Sequence, residues 1–134
     1  VEVEQRESQY NQQVHEPHGG SLPRAAILVL TQMPDRSSAE ALARSLVEAR
    51  LAACVSIGAP VESLYHWRGE IEMAREVPVT VKTCGDAYAA VEQAIRDGHS
   101  YELPEIIAVA VTDGLPAYLD WIERETRPAP TRSA

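Results

Sequence analysis

Apolar and polar positions alternate in two registers along this chain, and the changes of register mark its elements. From Ala25 to Leu30 the run AAILVL is continuously apolar and partly β-branched, which predicts a central strand covered on both faces. Thr31 to Asp35 reads as a loop, and Ser37 with Glu40 three residues later predicts a capping box. Ala39, Leu42, Ala43, Leu46 and Val47 then follow the i, i+3, i+4 spacing of an amphipathic helix ending near Arg50. Alternation with period two starts at Ala53, Val55 and Ile57, breaks at Gly58-Ala59-Pro60, and resumes through Val61, Ser63, Tyr65 and Trp67, so a bulge or bend is expected at the break. After Arg68-Gly69 the return arm carries Ile71, Met73, Val77, Val79 and Val81 on one face, interrupted by Arg75. Pro78 cannot donate to a ladder and predicts an edge, a bulge or a change of register.

Asp86 is placed to cap a second helix with apolar positions Ala87, Val91, Ala94 and Ile95, which Gly98 stops. The polar word His99-Ser100-Tyr101-Glu102-Leu103-Pro104 precedes another apolar strand, Glu105 to Val111. Asp113-Gly114 turns the chain. Pro116 suits the first turn of a third helix, whose apolar face is Leu115, Tyr118, Leu119 and Ile122. The order β-α-β-β-α-β plus a short helix predicts an α+β, ferredoxin-like domain over residues 24–127. Residues 1–23 lack apolar periodicity and read as a disordered extension, and residues 128–134 read as a flexible tail, with fraying expected from Arg127 onwards.

The hairpin from Ala53 to Thr83 is too long for such a domain. About fourteen residues per arm give a ribbon of roughly 45 Å, against a radius of gyration of about 13 Å for 100 residues. An overhanging two-stranded ribbon leaves unpaired backbone at its edges, and a second copy of the chain covers it most economically. A homo-oligomer is therefore expected.

Composition narrows the function classes. The formal net charge of −8 and the lack of clustered basic residues argue against nucleic-acid binding. No apolar run is long enough to span a membrane and no basic-then-apolar leader is visible, so a soluble, cytoplasmic protein is expected. Cys54 and Cys84 lack the spacing of a zinc site or a disulfide scaffold. No nucleophile-base pattern and no phosphate-cradling glycine motif is present, which favours a non-enzymatic protein.

The candidate chemistry is thus that of binding. His99 reads either as a metal ligand completed by Glu102 or a neighbouring subunit, or as a hydrogen-bonded loop histidine after a helix end. Cys54 is a soft ligand if it opens into a cleft between subunits and a small strand hydrophobe if buried. Lys82 is the only lysine and reads as an anion-binding charge in a cleft or as an edge-strand guard. Tyr65, Trp67 and Tyr101 either line a small-ligand cleft or pack in an interface. Glu70, Glu72 and Glu76 share one strand face, as a weak hard-cation surface or a solvated one.

Leu51-Ala52-Ala53-Cys54, Tyr65-His66-Trp67-Arg68-Gly69-Glu70-Ile71-Glu72, Glu76-Val77, Lys82-Thr83, His99-Ser100-Tyr101-Glu102-Leu103-Pro104-Glu105 and Tyr118-Leu119-Asp120-Trp121 occur in that order. Together they resemble the CutA family of divalent-cation tolerance proteins over about residues 25–126. The resemblance implies a homotrimer joined through the long hairpins and edge strands, similar in shape to PII signalling trimers, and a divalent metal ion, copper among them, as the ligand. The copper-binding members look like they use a Cys near the end of the first strand and adjacent histidines. The matching positions here are Thr31 and Gly98-His99, so only His99 carries over. Two functions follow as expectations: a metal-binding tolerance protein, or a PII-like sensor or scaffold that binds a small ligand or partner in intersubunit clefts.

Overall fold

A computed structural model describes residues 24–128, so the expected N-terminal extension and all of the C-terminal tail after Pro128 lie outside the described residues. Within them the protein is α+β, with five strands in one antiparallel sheet and three helices. The elements are β1 (Ala26–Met33), α1 (Arg36–Glu48), β2 (Cys54–Ile57), β3 (Val61–Trp67), β4 (Glu70–Cys84), α2 (Tyr88–Asp97), β5 (Ile106–Ala110) and α3 (Pro116–Glu125). The strand order is β2-β4-β1-β5, and β3 pairs with the outer part of β4. The apolar run of β1 is thus central, as its composition predicts, and it continues three residues beyond Leu30.

Alternation decides which side of the sheet is core. Val29, Thr31 and Met33 of β1 face the helices together with their register partners Val81, Val79 and Val77, and all six are buried. Leu42 and Leu46 of α1 and Val91 and Ile95 of α2 close over them. Val47, expected on the inner stripe of α1, is exposed instead. The opposite face of the sheet carries Leu28, Leu30, Ile107 and Val109 in mutual register and is covered at one end by α3.

Two helix starts differ from the sequence reading. The N-cap of α1 is Asp35, whose carboxylate accepts from the Ser38 backbone N–H at 2.7 Å, while Glu40 pairs with Arg36; there is no Ser37–Glu40 box. Pro34 precedes the cap, and the carboxylate of Asp35 satisfies a first-turn donor two residues earlier in the chain than a cap at Ser37 would sit. That backbone hydrogen bond also holds the Asp35 carboxyl below its ordinary value, so its capping contribution persists above the free-chain value and fades as pH falls through the folded one. Asp86 does not open α2 as its cap. Gly85–Ala87 form a 3-10 turn, Ala87 stands at the helix N-cap, and Asp86 turns its carboxylate to Arg24.

Arg24 is the polar tie that closes the described chain. Its guanidinium donates to both Asp86 oxygens at 2.9 and 3.1 Å and to the carbonyls of Glu123, Thr126 and Arg127 at 2.8 to 3.2 Å. All five donors are used, and three of them satisfy carbonyls at the C-terminal end of α3 that have no helical partner. At Arg127, where fraying is expected to begin, the backbone N–H donates to the Arg50 carbonyl at 2.8 Å. Beneath this tie Cys84 is buried, and burial pushes its thiol above the ordinary value.

The hairpin has the expected irregularity, and its register locates it. β2 pairs with β4 from Cys54↔Lys82 to Ile57↔Val79, and β3 from Val61↔Glu76 to Trp67↔Glu70. Gly58, Ala59 and Pro60 therefore face only Val77 and Pro78, one residue in excess, which is a bulge. Gly58 donates its N–H to the Pro78 carbonyl at 2.9 Å. A Cβ on Gly58 would lie 2.8 Å from Pro78 Cγ, so this close approach requires glycine. At the far end Arg68 and Gly69 both adopt positive φ, 50° and 83°, as a two-residue hairpin turn demands. Past the bulge the ribbon leaves the body: Leu64, Ile71 and Met73 are 70%, 70% and 63% exposed.

Two outcomes are expected. Gly58→Ala destabilises the protein by about 1–3 kcal/mol in chemical denaturation, and adding Pro78→Ala recovers most of the loss; an equal loss in the single and double variants would show that the approach of Gly58 to the proline ring is not the constraint. Arg24→Ala costs roughly 2–4 kcal/mol and accelerates amide exchange in residues 116–127. Arg24→Lys restores little of it, because one ammonium cannot reach two carboxylate oxygens and three carbonyls in a plane.

Candidate functional site

The candidate residues fall into two groups on different parts of the sheet. The first surrounds the loop after α2. His99 Nε2 lies 2.6 Å from the Gln32 carbonyl, and the Tyr101 backbone N–H donates to His99 Nδ1 at 3.1 Å. Together these contacts define the tautomer: Nδ1 accepts, so Nε2 carries the proton and donates to Gln32. The imidazole bolts the 99–105 loop to the end of β1, and both nitrogens are in use. Its ring also packs on Tyr101, with centroids 4.6 Å apart and a tilt of 54°.

Tyr101 faces the base of the overhang. Its phenol is raised above the ordinary value, first by burial and then by the Glu76 carboxylate, with Tyr65 adding to the effect. Glu76 is 8% exposed, unlike its strand neighbours Glu70 and Glu72, which are exposed. The acidic strand face is therefore split, two members in solvent and one folded under the tyrosine. Further out, Arg68 at the hairpin turn donates to Glu102 at 3.0 Å, and its guanidinium lies 5.5 Å from the Trp67 ring centroid. The loop thus runs along the ribbon from its base to its tip.

The second group lies on the open face. Cys54 and Lys82 are direct register partners, and both are half-buried. Cys54 Sγ is 4.0 Å from Ser56 Oγ. The Lys82 ammonium donates to the Tyr118 hydroxyl at 3.4 Å and sits 5.6 Å from that ring's centroid, and Tyr118 stacks on Trp121 at 5.5 Å. Lys82 does not guard an edge, because β4 lies between β2 and β1.

The metal set His99, Glu102 and Cys54 is not brought into one coordination sphere within the protomer. Cys54 pairs four residues along β4 from the position opposite Gln32, a separation of roughly 13 Å. Glu102 is engaged by Arg68 and His99 by two backbone groups. Among the described residues no group of three His, Cys, Asp or Glu side chains is arranged to hold a metal ion. Thr31, at the position of the resemblance's cysteine, is buried in the core with an unpartnered hydroxyl. A hydroxyl is a poor ligand for a soft or borderline metal, so these donors do not fit copper. The proposed ligand cleft divides likewise: Tyr65, Trp67 and Tyr101 stand along the hairpin, and Lys82 lies twelve residues along β4 from the partner of Trp67, roughly 40 Å of strand. Sequence reasoning named Glu76 only with Glu70 and Glu72 as an acidic strand face, and it missed Tyr118 and Trp121 as members of these groups; the word Tyr118-Leu119-Asp120-Trp121 held both at i, i+3 spacing, which places them on one helix face.

Comparison with known proteins identifies the lineage. Residues 27–125 match the family model described as CutA1 divalent ion tolerance protein. The chain is 36% identical to the mouse protein named Protein CutA over 107 residues, covering 80% of this chain and 60% of that protein. It is 37% identical to the divalent-cation tolerance protein CutA of Thermus thermophilus over 99 residues, 74% of this chain and 96% of that one. The chain thus spans about three-fifths of the animal relative and nearly all of the bacterial one. The crystal structure of CutA from Xylella fastidiosa superposes with a TM-score of 0.75 at 41% identity, covering 77% of this chain and 99% of that one. That of CutA1 from a psychrotrophic Shewanella gives 0.74 at 42% identity, with 77% and 96% covered. With its α+β sheet, long hairpin and loop words accounted for over the same span, this chain belongs to the CutA1 family of divalent ion tolerance proteins.

Proposed function

We propose that the protein is a non-enzymatic, homotrimeric divalent-cation tolerance protein. In this reading a ferredoxin-like protomer joins its neighbours through the long hairpin and the open sheet face. The observation that carries it is the ribbon beyond the Gly58 bulge, where Leu64, Ile71 and Met73 share one face and stand in solvent. A contiguous apolar surface on an overhanging two-stranded ribbon is the signature of an interface awaiting its partner. β5 and β2, each paired on one side only, supply further edges for such contacts.

The cation role is the narrower part of the proposal. The family description names divalent ions, and copper is the metal to test. For His99 to bind Cu(II) a ring nitrogen must give up its bond to Gln32 or to Tyr101, which costs about 1–3 kcal/mol per unsatisfied partner. Copper held there is therefore weak and exchangeable. A second reading, a PII-like sensor or scaffold with a small ligand in intersubunit clefts, is favoured by Lys82: it has no carboxylate partner among the described residues and faces the open side of the sheet.

Native mass spectrometry of the full chain, apo and with stoichiometric Cu(II), tests both parts. The expected mass is three times the 14.7 kDa of the protomer, with copper lost on buffer exchange from wild type and from His99→Ala alike. A monomer would overturn the hairpin interface. Tight, stoichiometric copper abolished by His99→Ala would reinstate the imidazole as a ligand. The same variant is expected to lower the unfolding midpoint, since it removes the bolt between the 99–105 loop and β1.

A further inference from the structure

We draw no further inference here: the strongest candidate, the arginine-lined groove between the C-terminal end of α3 and the turn after α1, carries nothing, because Arg24 and Arg50 are already paired with Asp86 and Glu125, the carboxylates of Asp120 and Glu123 share its walls, and nothing in the structure shows what covers it.

Discussion

The rest of the structure depends on the length of β4. Its fifteen residues run from the exposed hairpin turn to the buried Cys84, and β1, β2 and β3 all pair with it. Period-two alternation puts Ile71, Met73, Val77, Val79 and Val81 on one side throughout. The inner three are core because α1 and α2 reach them, and the outer two are exposed because no helix among the described residues packs on them. One physical pattern thus serves two purposes, and the boundary between them falls beside the bulge. There the outgoing arm gains a residue and Pro78 withholds its donor, so the ribbon is free to change direction where the body ends.

A strand that serves both core and overhang needs its inner end held firmly, and the polar ties are placed for that. Thr83, next to the end of β4, donates to the Leu51 carbonyl at 2.6 Å, and Gly85 donates to the Ala25 carbonyl at 2.8 Å. Arg24 then joins the start of β1 to Asp86 and to the end of α3. These bonds are mostly from side chain or loop to backbone carbonyls. They satisfy acceptors that strands and helices leave over at their ends. Along the overhang the corresponding roles fall to His99, which fixes the loop to β1, and to Arg68 with Glu102 at the tip.

Much of this was legible in the sequence because it follows from period. The apolar run of β1, the i, i+3, i+4 stripe of α1, the break at Gly58 to Pro60 and the turn at Arg68-Gly69 are local patterns with local causes. The caps were less legible: Ser37 and Asp35 both suit an N-cap, and only backbone direction after Pro34 selects the aspartate. Arg24 was not legible at all, since its partners lie 62 to 103 residues away and three of them are carbonyls, which every residue has. His99 shows the same limit at the candidate site. Its residue type and its place after a helix left ligand and loop anchor open, and the deciding partners are a backbone oxygen and a backbone N–H. The residues of the ligand cleft were named from words that lie close in sequence order, yet the strand's own length carries Trp67 far from Lys82.

The two candidate groups differ in a way that bears on what each can bind. Around His99 the groups that could ligate a metal are already engaged: the imidazole is bonded twice, Glu102 is ion-paired and Glu76 faces a phenol. A newcomer there must displace a protein contact and pay its loss. Around Lys82 the charge is held only by a long hydrogen bond and a ring face, so an anion arriving there replaces little. Binding favours the place where folding has left a charge uncompensated rather than the place with the most familiar ligand.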